Sequence, residues 1–273
     1  MPELPEVETV CRGLAGVLNG RRFARVELRR KDLRIPFPRG LAAALTGRRI
    51  ELIYRRAKYV LMALDDGNVL IIHLGMSGHM AIIKDDSSPG LHDHVIFTTD
   101  DGTVVRFNDP RRFGLMTLAP ASGLDSHKLF RHLGPDALSD GFTPDVLSAA
   151  LKGRKAAIKT ALLDQRLVVG VGNIYASESL YRAGISPKRP AGSITGRRAA
   201  ALVPAIKQIL NEAIAAGGSS LRDHVQPSGE LGYFQNAWRV YGREGESCAC
   251  KRALIKRIVQ AARSTFYCTR CQT

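Results

Sequence analysis

The stretch Tyr59-Val60-Leu61-Met62-Ala63-Leu64-Asp65-Asp66-Gly67-Asn68-Val69-Leu70-Ile71-Ile72-His73-Leu74 sets two short apolar runs on either side of Asp66-Gly67. Asp-Gly between such runs is a strong hairpin signal, because glycine supplies the positive φ that a tight turn between twisted strands requires. Val95 to Thr99 and Val104 to Phe107 repeat the arrangement around Asp101-Gly102, and Ile50, Leu52 and Tyr54 alternate at period two. Several short strands at this spacing across residues 23–118 predict a sandwich or flattened barrel.

Upstream, Val7, Val10, Cys11, Leu14 and Leu18 recur at three and four within Glu6 to Leu18, the period of an amphipathic helix, which makes Cys11 a buried structural thiol rather than a reactive one. After about residue 120 the pattern is helical. Thr143-Pro144-Asp145 is a helix start and Gly153 a stop, and further helices fit Ile158 to Asp164, Asn173 to Ala183 and Thr195 to Ala216. The class is α+β. The expected division is an N-terminal β-sandwich domain with a leading helix (1–118), a Pro- and Gly-bearing linker (119–135), a helical domain (136–235) and a cysteine-bearing tail (236–273).

The 273 residues carry 40 Lys+Arg against 25 Asp+Glu, a formal +15 spread through both halves. That balance points to a polyanionic partner, nucleic acid before a membrane surface, which would want its charge gathered on one amphipathic helix. No run approaches the roughly 20 apolar residues of a membrane span, and the N-terminus opens with acids, so a cytoplasmic protein is expected.

Four segments suggest chemistry. In Met1-Pro2-Glu3-Leu4-Pro5-Glu6-Val7-Glu8, removal of Met1, expected before a small residue, would leave Pro2 as a secondary-amine nucleophile beside the carboxylic acid of Glu3. An α-amino group has a reference pKa of roughly 7.7–8.0, so an appreciable fraction is free base near neutrality and can form an iminium with an aldehyde-like carbon. The plainer reading is a stiff lead-in to a helix. Val168-Val169-Gly170-Val171-Gly172-Asn173-Ile174-Tyr175-Ala176 places two glycines before a helix whose free N–H groups would bind phosphate, or forms an ordinary turn between packed helices. Asp109-Pro110-Arg111-Arg112-Phe113-Gly114 sets an arginine and an aromatic on one loop, as in proteins that extrude a base from a duplex, or is a turn with one core Phe. Met76, in His73-Leu74-Gly75-Met76-Ser77-Gly78, could fill the gap an extruded base leaves, or be a core residue.

In the tail, Cys248-Ala249-Cys250 and Cys268-Thr269-Arg270-Cys271 enclose seventeen residues, a pattern for one zinc ion on a short hairpin. The second pair has knuckle spacing; Cys-x-Cys is tighter than usual.

With these motifs, joined by Arg56-Ala57-Lys58-Tyr59 and Tyr241-Gly242-Arg243, the whole chain resembles the bacterial formamidopyrimidine-DNA glycosylases, all of them in the family's order. The resemblance implies a β-sandwich, a helix-two-turn-helix domain and a zinc-finger hairpin clamping double-stranded DNA, in a monomer that is both N-glycosylase and apurinic/apyrimidinic-site lyase. It implies excision of 8-oxoguanine and formamidopyrimidines through a Pro2 Schiff base, followed by β,δ-elimination, with Glu3 as acid/base and no redox cofactor. Carried over position by position, Lys58 joins the catalytic set and, with His73, Asn173 and Arg263, holds phosphates; Met76, Arg111 and Phe113 enter the duplex; Lys155 and Tyr241 also bind DNA. Glu6 lies near the flipped base or supports the site, and Ser219 and Ser220 bind substrate within a lid at 219–234. The family usually has Cys-x-x-Cys in the first half of its finger, and here Lys251 stands at the second ligand position, so four-cysteine binding, three-cysteine binding and metal loss remain open. The rival enzyme branch, endonuclease VIII, acts on oxidised pyrimidines and looks like Met-Pro-Glu-Gly at its start, whereas here Leu4 follows Glu3. A rival from another class is a catalytically silent protein that only binds damaged DNA.

Overall fold

In the computed structural model the described residues are 2–84, 87–219 and 226–273. They form two compact units, Met1–Arg131 with Ala216–Gln235, and His132–Ala215 with Asn236–Thr273.

The first unit opens with α1 (Leu4–Leu18), followed by β1 (Phe23–Leu28), α2 (Leu41–Leu45), β2 (Ile50–Arg56), β3 (Tyr59–Leu64), β4 (Asn68–His73), β5 (His79–Ile83), β6 (Asp93–Thr99), β7 (Val104–Asn108) and β8 (Leu115–Pro120). Two four-stranded antiparallel sheets result, ordered β1-β6-β7-β5 and β2-β3-β4-β8. Both hairpin expectations hold. Met62 pairs with Leu70 across the first and Phe97 with Val105 across the second. Gly67 and Gly102 turn the chain at φ 79° and 85°. Val60, Met62, Leu70 and Ile72 of one sheet share a core with Phe23, Phe97, Val105 and Phe107 of the other, and the stripe Val7, Val10, Cys11, Leu14 and Leu18 of α1 packs into the same cluster. Burying that stripe, at about 25 cal/mol per Å² of apolar area, is what holds the N-terminus in place.

The segment expected as a linker carries Phe130, which is buried and set edge-on to Tyr59 with ring centroids 5.1 Å apart. Arg56 lies over the Phe130 ring, its guanidinium carbon 4.7 Å from the centroid.

The second unit contains α3 (Pro144–Leu151), α4 (Ile158–Leu162), α5 (Asn173–Arg182), α6 (Arg197–Ala215) and the hairpin β9 (Ile255–Gln260) and β10 (Arg263–Cys268). Thr143 caps α3 by accepting the Val146 N–H at 3.3 Å, and Gly153 follows at φ 73°. Val240, Cys248, Ile255, Phe266 and Cys268 make a small separate core around the hairpin. Among the described residues no helix is long and apolar enough to cross a membrane.

Candidate functional site

At the N-terminus, Glu3 is the N-cap of α1 and only 3 % exposed, with half-buried Pro2 directly before it. The Glu6 carboxylate accepts the Glu3 N–H at 2.9 Å through one oxygen and the Ser219 N–H at 2.9 Å through the other. One buried carboxylate therefore ties the start of the helix to residue 219. Gly218 makes room for it, since a Cβ there would lie 3.3 Å from Glu6 on a backbone at φ 82°. Ser220, and the 220–225 part of the expected lid, lie outside the described residues. Pro227, on the returning side, packs on Gly13 of α1, and its carbonyl accepts the Ile82 N–H at 2.8 Å.

A second cluster grows from the β3–β4 ladder, where Tyr59 pairs with His73 and their ring centroids lie 4.9 Å apart. Burial first, then the charges of Lys58 and Arg34, push the His73 pKa down to about 4. Its Nδ1 accepts the Gly75 N–H at 3.0 Å, which places the single proton of the neutral ring on Nε2. His73 is thus a neutral N–H donor flanked by two cations, a combination suited to a phosphate oxygen. Arg34 was not singled out from the sequence: it sits in the irregular segment after β1, and its N–H reaches the Gly114 carbonyl at 3.0 Å.

Asp109 builds the third group. It is 0 % exposed; Oδ1 accepts the Ser77 hydroxyl at 2.6 Å and Oδ2 the Gly114 N–H at 2.8 Å, while its carbonyl accepts His94 Nε2–H at 2.9 Å. Ser77 Oγ in turn accepts the Arg111 N–H at 3.2 Å. The two loops touch backbone to backbone at Gly75, where a Cβ would sit 2.3 Å from the Phe113 carbonyl carbon. Held this way, Met76 and Phe113 remain 40 % and 42 % exposed, and the Arg111 guanidinium carbon lies 4.9 Å from the Phe113 ring centroid. Two exposed apolar side chains and an arginine thus stand out from the core on loops anchored by the buried Asp109 carboxylate.

In the second unit Asn173 opens α5. Its Nδ2 donates to the Ser264 carbonyl at 3.0 Å and to the Tyr241 hydroxyl at 3.3 Å, and its Oδ1 accepts from Lys159 Nζ. Lys159 is fully buried. Glu178, one turn further along α5, accepts the N–H groups of Arg239, Val240 and Tyr241 at 3.0, 2.9 and 2.8 Å and so fixes the segment that carries Tyr241. Arg263 is exposed and precedes Ser264, just after Ala261 and Ala262 turn the hairpin at φ 48° and 59°. Lys155, by contrast, is exposed ahead of α4, outside this cluster. Lys159 and Glu178 were missed from sequence; the available signal was a charged residue inside an apolar helical stripe, Ile158-Lys159-Thr160-Ala161-Leu162 for the first.

Cys248, Cys250, Cys268 and Cys271 bring their sulfurs within 4.8 Å of one another, with none in a disulfide. Cys248 and Cys271 are 3.7 Å apart and Cys250 and Cys268 3.9 Å. Four thiolates at 2.3 Å from a tetrahedral zinc would be about 3.8 Å apart. The donor set fits zinc, and the short Cys-x-Cys loop does bring Cys250 to the other three.

Family models match three consecutive parts of the chain: "Formamidopyrimidine-DNA glycosylase N-terminal domain" over residues 1–116, "Formamidopyrimidine-DNA glycosylase H2TH domain" over 133–225, and "Zinc finger found in FPG and IleRS" over 250–273. The formamidopyrimidine-DNA glycosylase of Acidiphilium cryptum is 57 % identical over the full length of both chains. Among solved structures, the MutM (Fpg) protein of Thermus thermophilus superposes with a TM-score of 0.89 at 39 % identity, covering 99 % of this chain and 98 % of that one. A complex between the Lactococcus lactis Fpg and DNA containing an abasic site gives 0.90 at 33 % identity over 99 % of each chain. Similarity of this extent, spanning both units and the cysteine hairpin, makes the chain a member of the formamidopyrimidine-DNA glycosylase family.

Proposed function

We propose that this protein excises oxidised purines, such as 8-oxoguanine and formamidopyrimidines, from double-stranded DNA and then cuts the strand as an apurinic/apyrimidinic-site lyase. The observation that carries the reading is the buried Glu3 carboxyl at the helix N-cap with Pro2 directly before it. Once Met1 is removed, the Pro2 nitrogen lies at the positive end of the α1 dipole, which disfavours an added positive charge and so favours the free amine.

The Pro2 nitrogen bonds to C1′ as the glycosidic bond to the damaged base breaks, and Glu3 supplies the proton that sugar-ring opening requires at O4′. The iminium so formed acidifies the C2′ proton; its loss breaks the C3′–O3′ bond, and a second elimination breaks C5′–O5′. Lys58, His73, Asn173 and Arg263 hold the DNA phosphates, Lys155 and Tyr241 also bind DNA, and Lys58 counts with the catalytic residues. Met76, Arg111 and Phe113 enter the duplex, Arg111 facing the orphaned cytosine, and Glu6, Ser219 and Ser220 line the place of the extruded base under a lid at 219–234. Cys248, Cys250, Cys268 and Cys271 hold zinc, which supplies folding energy to the hairpin bearing Arg263. Residues 1–118, 136–235 and 236–273 act as catalytic sandwich, DNA-binding helical domain and finger, in a cytoplasmic monomer.

The test is borohydride trapping on a duplex with 8-oxoguanine opposite cytosine, followed by mass spectrometry of the linked peptide. An adduct on the Pro2 nitrogen is expected. Tight lesion binding with neither adduct nor strand cleavage would overturn the reading in favour of a silent damaged-DNA-binding protein.

A further inference from the structure

The two halves of the four-cysteine site treat their sulfurs differently. Cys268 and Cys271 are three residues apart, and the Cys271 N–H donates to Cys268 Sγ at 3.4 Å. In the first half the N–H three residues after Cys248 belongs to Lys251, and it bonds the Cys248 carbonyl at 2.8 Å instead. Lys251 adopts φ 57° at this turn. Drawing the loop in by one residue brings the Cys250 sulfur to the site and leaves the Cys250 N–H as the backbone donor to Cys248.

A phenol adds a second donor. The Tyr181 hydroxyl lies 3.4 Å from Cys248 Sγ. Tyr181 belongs to the last turn of α5 and packs against the hairpin core of Val240, Ile255 and Phe266. The next residue, Arg182, is clamped by Glu212 through bonds of 2.6 and 2.7 Å. The position of the hydroxyl is therefore set by the helix, independently of the cysteine loops. A zinc-bound cysteine is a thiolate and has no proton to give, so in the loaded site Tyr181 must be the donor. A hydrogen bond of this kind orients the ligand and draws off part of its charge, and loss of such outer contacts typically lowers metal affinity roughly 10- to 100-fold.

We propose that Tyr181 is a positioning residue of the zinc site, its hydroxyl giving Cys248 a side-chain hydrogen bond from outside the cysteine loops, in addition to the backbone donor within them. The proposal rests on the four-cysteine zinc reading. It also links the metal to the candidate phosphate contact, because Asn173 and Tyr181 are on the same helix.

The experiment compares full-length, zinc-loaded wild type with Tyr181→Phe, following zinc transfer to a chromophoric chelator and, after cobalt substitution, the thiolate-to-cobalt absorption. Tyr181→Phe is expected to hold zinc roughly 10- to 100-fold more weakly, with a changed cobalt spectrum and with Cys248 the first thiol alkylated. Equal zinc retention and equal spectra in wild type and Tyr181→Phe would overturn the proposal, as would weaker retention with an unchanged cobalt spectrum. Should Tyr181→Phe not accumulate folded, Tyr181→Met gives the same comparison. A wild type that binds no zinc would instead remove the metal reading itself.

Discussion

Lys58 in the first unit and Lys159 in the second both carry an amine into the protein, 7 % and 0 % exposed, each beside a neutral polar side chain, His73 and Asn173. The first pair is assembled by one hairpin: Lys58 immediately precedes β3, and the register that sets Tyr59 opposite His73 finishes the arrangement. The second needs Lys159, Asn173, Tyr241 and Ser264, brought together from four separate stretches. A site carried by a hairpin follows from local turn chemistry, whereas one closed by long-range contacts depends on the metal hairpin that delivers Ser264 and on the Glu178 carboxylate that delivers Tyr241.

That dependence gives the largest expected effect. Stripping zinc from the loaded protein should release the hairpin with Arg263 and Ser264 and free Tyr241 from Asn173. If Arg263, Asn173 and Tyr241 each give up a phosphate hydrogen bond of about 1 kcal/mol, lesion-duplex binding weakens roughly a hundredfold, with amide exchange unchanged in β3 and β4. If exchange in β3 and β4 rose as well, the two regions would not be independent.

The next effect belongs to the first region alone, because imidazole titrates and a carboxamide does not. The folded protein keeps His73 neutral down to about pH 4, while the unfolded chain takes up the proton below about 6.5. The unfolded state therefore gains protons in that window, and stability falls as pH drops through it. Relative to His73→Gln, wild type should lose about 2 kcal/mol by pH 5 in urea titrations. A pH-independent difference would show that His73 is not held neutral by burial.

Glu178→Gln should cost about 1.5 kcal/mol of stability by replacing a charged acceptor of three backbone N–H groups, and should weaken DNA binding through Tyr241 without changing the rate of base loss at saturating enzyme. A changed single-turnover rate would place Glu178 in the chemistry instead. For Lys58→Ala the expected loss is about 1 kcal/mol of affinity, about equal on damaged and undamaged duplex, with the log-affinity versus log-salt slope falling by about 0.9. An unchanged slope would remove Lys58 from the phosphate contacts.

The smallest effect contrasts the hairpin turns. The first unit turns at Gly67, whereas the tip before Arg263 holds Ala261 and Ala262 at positive φ. Ala262→Gly should relieve that strain and raise the zinc-loaded melting temperature slightly, for a gain of less than about 1 kcal/mol. A lower melting temperature would mean that the alanine methyl is packed.

The amino-acid order by itself determined what short-range physics controls: the Asp-Gly turns, the apolar stripe of α1, the Thr143 cap, and the juxtaposition of near neighbours in the chain, such as Pro2 with Glu3 and Arg111 with Phe113. Each needs only the geometry of a few consecutive residues. Tertiary structure alone decided that Arg34 faces His73, that Asp109 joins the loops of Met76 and Phe113, that Glu6 reaches Ser219, that Lys159 meets Asn173, and that Cys250 joins the other cysteines despite its short loop. These contacts bring together groups far apart in the chain, and no period or spacing records them. Burial enforces them: a polar group taken out of water must find a partner wherever the packed chain supplies one.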